Sequence, residues 1–170
     1  MTDFTNSDEI YASGRLSRHL ETQRMKQASR FIKDRHQVLD LACNEGRLLE
    51  FIPPTVQYVG IDIQQKAIER AKKRYPQHQF LIADLTQALD IETQTFDVIV
   101  MLAFLEHIEQ PADLLKLYKR YLKRDGRIVI TTPAPIGRRI HDIGAQIGLF
   151  SKEAAAEHET FLDKRPLIII

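Results

Sequence analysis

The sequence predicts an α/β domain: a doubly wound, mostly parallel sheet with helices on its flanks. Short β-rich runs alternate along the chain with longer segments of helical periodicity. The run from Phe96 to Ala103 is almost wholly apolar, as a central parallel strand covered on both faces must be. Proline and glycine fall at the junctions, at Pro53-Pro54, Pro76, Pro111 and Gly126.

Taken in order, Leu16, Leu20, Ala28, Phe31 and Ile32 recur at roughly helical spacing with charges between them, so a first amphipathic helix is expected. Gln37 to Ala42 reads as a buried strand, Cys43 to Gly46 as a tight turn, and Arg47 to Ile52 as a helix that Pro53 ends. Tyr58 to Ile63 is the second strand, Gln64 to Tyr75 a charged helix stopped by Pro76, and Gln79 to Ala83 the third strand. After the apolar fourth strand, Pro111 at N1 opens a helix over Ala112 to Lys123, Asp125-Gly126 punctuates it, and Arg127 to Thr132 is the fifth strand. Pro133 and Pro135 enforce an extended exit toward two further helical segments, Gly137 to Leu149 and Ser151 to His158. Right-handed crossovers place a ligand over the strand C-termini where strand order reverses, at the turn after the first strand.

At 170 residues and 44% hydrophobic, the chain is expected to form a single domain over 1–170. A helical lead occupies 1–35, the core with the binding motifs 36–133, and a helical segment 134–170. That last segment ends in the bare apolar run Leu167 to Ile170, which wants burial: on the sheet edge, against a second copy in a homodimer, or under elements that would normally follow. Lys plus Arg number 24 against 23 Asp plus Glu, so no global charge draws the chain to nucleic acid. The basic residues from Lys66 to Arg74 and from Lys116 to Arg124 are interspersed with apolar ones at helical spacing and read as solvated helix faces. No apolar run reaches the length of a membrane span, the N-terminus is polar, and Cys43 is the sole cysteine, which together point to the cytoplasm and exclude a multi-cysteine zinc site. No metal constellation is visible.

The chemistry is concentrated in Val38-Leu-Asp-Leu-Ala-Cys-Asn-Glu-Gly46 and in Val59-Gly-Ile-Asp62, one helix later. A tight turn at a strand end lets backbone approach a ligand, and a carboxylate at the next strand tip can accept from both hydroxyls of a ribose. Ala83-Asp84-Leu85 follows the third strand, Leu105-Glu-His-Ile108 follows the fourth, and Gly126 precedes the apolar fifth. In order and spacing these segments, from Val38 to Pro133, resemble the motifs of class I S-adenosylmethionine-dependent methyltransferases. The likeness is greatest to the small-molecule group that includes ubiquinone-biosynthesis and type-11 members.

That resemblance implies a Rossmann-like fold and S-adenosylmethionine as cofactor, held by the core. Asp40, Ala42, Cys43, Asn44 and Gly46 would form its turn, Asp62 with Ile63 would meet the ribose, and Asp84 with Leu85 the adenine amino group. Leu102 and Ala103 would line the carboxypropyl and sulfonium part. The family's usual turn is Asp-Leu-Gly-Cys-Gly-x-Gly; here Ala42 and Asn44 replace two glycines and Gly46 remains. The implied reaction is in-line methyl transfer to a small-molecule acceptor, with a base needed only for protonated acceptors.

His107 is the candidate base, because an imidazole titrates near neutrality; its structural reading is a cap or packing residue after the strand. His141, His158 and Tyr11 are further acceptor-side candidates. Cys43 reads as a packing residue. A nicotinamide dehydrogenase is the rival binding class, but Gly-x-Gly-x-x-Gly is absent and Glu45 in the turn would repel pyrophosphate, whereas a cationic sulfonium would not be repelled. The alternative from another class is a non-catalytic module that keeps the fold with a degenerate glycine turn.

Overall fold

The computed structural model describes residues 15–132 and 167–169. Helix α1 (Arg15–Ser29) is followed by β1 (Gln37–Leu41), β2 (Gln57–Asp62), α2 (Gln65–Arg74), β3 (Gln79–Ile82), β4 (Phe96–Leu102), α3 (Pro111–Lys119), β5 (Leu122–Thr131) and β6 (Leu167–Ile169). They form one six-stranded sheet in the order β3-β2-β1-β4-β5-β6. The first five strands run parallel, and β6 lies antiparallel on β5, with Val129 opposite Ile169. Leu167–Ile169 of the apolar tail thus take the sheet-edge position among those expected for it.

Alternation along each strand builds a core on either face. On one face Leu39, Leu41, Ile61, Ile99, Met101 and Ile128 pack with Leu115 and Tyr118 of α3. On the other, Val38, Tyr58, Val98, Val100 and Val129 pack with Met25 and Ala28 of α1 and Ile68 and Ala71 of α2. Burial of each such aliphatic side chain contributes roughly 1.5–3 kcal/mol. Strand order reverses beside β1, whose neighbours are β2 and β4, so the crevice of this sheet opens at the C-terminal end of β1.

Two elements differ from the sequence reading. The expected helix over Arg47 to Ile52 is a single 3-10 turn, Arg47–Glu50, because Pro53-Pro54 follow too soon for a second turn. Helix α3 stops at Lys119 and β5 begins at Leu122, ahead of the Asp125-Gly126 pair taken as the punctuation. Tyr121 is the cause: it is fully buried, and its hydroxyl accepts from Leu89 N–H at 2.8 Å and donates to Leu89 O at 2.9 Å, which draws the chain out of helix. Leu122 pairs with Phe96, pairing resumes with Arg127 opposite Val98, and the residues between bulge outward. Gly126 sits in that bulge so close to backbone that a Cβ would lie 2.9 Å from Phe96 O. Lys123 reaches back to both oxygens of Asp97 at 2.9 Å. The helices expected over Gly137 to Leu149 and Ser151 to His158, with His141, His158 and Tyr11, lie outside the described residues.

Candidate cofactor site at the C-terminal ends of β1 and β2

The chain leaves β1 at Leu41 and turns with a left-handed residue at alternate positions: Ala42 (φ 59°), Asn44 (φ 49°) and Gly46 (φ 71°). A left-handed L-residue costs about 1–2 kcal/mol, with Asn tolerating it better than Ala. The two residues that replace the family's glycines therefore keep a glycine-like backbone. At Gly46 a side chain is excluded twice over, by φ and by the Phe80 ring 2.9 Å from any Cβ.

What holds the strained turn is β2. Cys43 N–H donates to Ile61 O at 3.0 Å, Asn44 N–H donates to Asp62 Oδ2 at 2.8 Å, and Gly46 N–H closes on Cys43 O at 2.9 Å. Gln64 N–H donates to the other Asp62 oxygen at 2.9 Å, so the carboxylate is fixed at the tip of β2 with further lone pairs in hand. Asp62 is 6% exposed, whereas its neighbours at the strand ends, Ile63 (56%) and Ile82 (51%), are the exposed large hydrophobics among the described residues. Ile82 was not expected in the site. As the last residue of a β-rich run it carries no signal of exposure in the sequence. Asp84 is exposed beyond β3, its Oδ1 accepting from Thr86 N–H and Thr86 Oγ1 at 2.9 and 2.8 Å.

Asp40 lies beneath the turn, 3% exposed, with Oδ2 accepting from Tyr58 Oη at 2.6 Å. Burial pushes its carboxyl up to about 7; the Tyr58 hydrogen bond opposes that shift and the nearby Asp62 charge adds to it. Burial, with Asp40 and Asp62, pushes the Cys43 thiol well above its ordinary value, so Cys43 is a packing thiol rather than a nucleophile. Leu85 has its side chain buried in the core, and its carbonyl accepts from Tyr118 Oη at 3.0 Å. Leu102 and Ala103 are half-buried at the end of β4, where Ala103 (φ 51°) donates its N–H to Thr131 O at 2.8 Å.

His107 is exposed on the 3-10 turn Leu105–His107. Beside it, Glu106 Oε2 is buried without a hydrogen-bond partner, as are the hydroxyls of Thr131 and Thr132 at the end of β5. An unpaired buried polar group costs about 1–3 kcal/mol. Threonine is ordinary in strands, so only burial singles these two out.

The electrostatic argument from Glu45 needs correction. Arg70 Nε pairs with Glu45 Oε1 at 2.6 Å, so that acid is compensated and does not by itself repel an anion. Arg74 likewise pairs with Glu50 at 2.8 Å, while Lys66, Lys72 and Lys73 are exposed, as the reading of a solvated helix face expects. Among the described residues no group of three or more His, Cys, Asp or Glu is placed to hold a metal ion. A cleft of about 610 Å³, lined by Gln57, His78 and Gln79 among others, opens at the opposite, N-terminal end of the strands.

A strained turn, an oriented carboxylate at the next strand tip and exposed isoleucines beside it thus stand together at the C-terminal strand ends of a Rossmann-like domain. The family model described as "Methyltransferase domain" matches residues 39–130, more than half of the chain, and the chain belongs to that family. It is 33% identical over 101 residues to a demethylmenaquinone methyltransferase of Thermotoga maritima and 31% identical over 105 residues to a ubiquinone biosynthesis O-methyltransferase of Coxiella burnetii. Those matches cover 58% and 59% of this chain and 44% of each relative, so the chain spans less than half the length of these curated relatives. In fold it is similar to the plantazolicin methyltransferase BpumL, solved in complex with a monoazolic desmethylPZN analog and SAH, with a TM-score of 0.67, 24% identity, and coverage of 82% of this chain and 59% of that one.

Proposed function

We propose that this chain binds S-adenosylmethionine across the C-terminal ends of β1 to β4 and transfers its methyl group to a small-molecule acceptor. The observation that carries the reading is the Asp62 carboxylate, held by two backbone N–H groups beside the exposed Ile63 and Ile82. In this reading Asp62 accepts from the ribose hydroxyls and Ile63 and Ile82 cover the adenine faces. Asp84 accepts from the adenine amino group, and the backbone from Asp40 to Gly46 borders the amino-acid end. The cofactor supplies a sulfonium-bound methyl group that leaves readily. The protein's share is to hold an acceptor in line with it and to exclude water.

Leu102 and Ala103 border that position, and His107 takes the proton from an acceptor hydroxyl or amine. Glu106 is a second reading for the base, favoured by its buried, unpartnered Oε2. That the turn keeps its left-handed shape without two of its glycines supports this reading over the non-catalytic alternative. Among the described residues no helix is long and apolar enough to cross a membrane; a cytoplasmic address is part of the proposal. A homodimer through the outer edge of β6 would show as a mass that rises with concentration in light scattering; a constant monomer mass excludes it.

Calorimetric titration with S-adenosylmethionine and S-adenosylhomocysteine tests the function, with NAD as control. Binding of the first two and not of NAD is expected. A well-folded chain that binds neither overturns the reading.

A further inference from the structure

We propose that Tyr58 is a positioning residue for the cofactor turn: its hydroxyl, bonded to Asp40 beneath the turn, favours the charged form of that carboxyl and so sets the range of pH over which the site accepts a cationic cofactor. This rests on the cofactor reading above and adds the means by which the turn is tuned.

The geometry is specific. Tyr58 stands on β2, 3% exposed, and spans from its own strand to β1, where its Oη meets Asp40 Oδ2 at 2.6 Å. That length belongs to a charge-assisted O–H···O⁻ bond. The ring is wedged against Phe80 and His78, with centroids 5.7 and 5.8 Å away. Gly60 leaves the space for it: a Cβ there would lie 2.9 Å from Tyr58 Cε1 and 2.8 Å from Cys43 Sγ. Asp40 is thus deeply buried, 3% exposed against 6% for Asp62, and Tyr58 donates a hydrogen bond to it.

Few other groups act on it. From β2 they are Tyr58 and Asp62, and from the turn the Cys43 thiol. Asp40 is registered with Val100 on β4, and α1, the 3-10 turn after Gly46 and α2 send Met25, Ala28, Leu48, Ile68 and Ala71 into the core on that face. Of the charged residues on those elements, Glu21, Arg47, Glu50 and Arg74 are engaged with one another in ion pairs and Arg70 pairs with Glu45, while Lys26, Lys66, Glu69, Lys72 and Lys73 are exposed. Burial pushes Asp40 toward protonation and the Tyr58 hydrogen bond pulls it back, leaving it near 7. Loss of the hydroxyl leaves burial and Asp62 unopposed, and Asp40 neutral at physiological pH.

The test is calorimetric affinity for S-adenosylmethionine and S-adenosylhomocysteine between about pH 5.5 and 9, on the wild-type chain, Tyr58→Phe and Asp40→Asn, with circular dichroism as the folding control. The ligand's amine titrates alike in all three, so differences between variants are the readout. Wild-type affinity is expected to rise on crossing about 7. In Tyr58→Phe the rise moves up by about one pH unit or more and affinity recovers at the alkaline end, while Asp40→Asn shows no rise. A Tyr58→Phe loss of equal size at every pH marks a purely structural tyrosine and overturns the proposal. Should Tyr58→Phe not fold, Asp40→Asn decides: a flat profile supports the proposal, and a wild-type profile overturns it. A wild-type chain that binds with no dependence on pH overturns this inference alone, whereas one that binds at no pH overturns the cofactor reading itself.

Discussion

The backbone N–H of Asn44 donates to Asp62 Oδ2 at 2.8 Å, which couples the turn after β1 to the tip of β2. Through this bond one side chain serves two ends: it satisfies a backbone donor of a strained loop and fixes its own carboxylate at the strand tip. Asp62→Ala is therefore expected to lose both. A hydrogen bond to a charged group contributes about 1.5–3 kcal/mol, so affinity for S-adenosylmethionine should fall tenfold or more and the melting temperature should drop as well. Calorimetry and a thermal melt check this, and unchanged affinity in a folded variant removes Asp62 from the cofactor site.

Because Ala42 adopts φ 59°, Ala42→Gly relieves strain that an L-residue bears and glycine does not. Glycine's extra freedom in the unfolded chain offsets part of the gain, leaving a stabilisation of up to about 1 kcal/mol. Asn44→Gly should be closer to neutral, since asparagine tolerates that conformation. Gly46→Ala goes the other way, with φ 71° and Phe80 in its path, and should cost about 1–3 kcal/mol. Urea denaturation orders the three; a destabilised Ala42→Gly would mean that the methyl group packs usefully enough to outweigh the strain.

The two candidate bases separate by environment. His107 is exposed, so His107→Ala should leave the fold intact and cofactor affinity within about twofold while turnover falls by about 10²-fold or more, the usual worth of a general base. Glu106→Gln should produce that fall instead if the buried Oε2 is the proton acceptor. Turnover with the acceptor, once a screen has found it, distinguishes the two; normal rates in both variants would dismiss base catalysis from this loop.

At the far end of the sheet, Asp97 accepts from Gln37 N–H at 2.8 Å and from Lys123 Nζ at 2.9 Å on each oxygen. Burial opposes its charge, but the Gln37 and Lys123 contacts outweigh it and hold the carboxyl below the ordinary value of 3.8. With the folded value depressed, its stabilisation is present above 3.8 and is lost as pH falls through the folded value. Asp97→Asn should therefore be less stable than wild type at neutral pH, with the gap closing below 3.8 in acid. Urea midpoints at neutral and acid pH decide; a gap of equal size at both would assign the effect to packing rather than charge.

Much of the site was legible because its parts are local. A strand, a tight turn and an acid at the next strand tip lie close in sequence, and the parallel register of β1 on β2, with Asp40 opposite Gly60, brings them together as the motif spacing requires. Less legible was anything that depends on a distant partner. Tyr58 reads as an ordinary strand aromatic, and its bond to Asp40 exists because β2 lies beside β1. Glu45 looked like an uncompensated acid, since Arg70 reaches it from α2, well removed in sequence. The end of α3 was misplaced for the same reason, because Tyr121 is drawn inward by Leu89, far back in the chain.

By itself, then, the sequence determined the parallel α/β sheet, the position of the turn and the acids around it, because hydrophobic period and glycine or proline placement act over a few residues. Tertiary structure alone decided which carboxylates are buried or paired, that Ala42 and Asn44 keep the conformation of glycines, and which strand-end groups lack partners. Burial and charge pairing are properties of neighbours in space, and strand order, not chain order, chooses those neighbours.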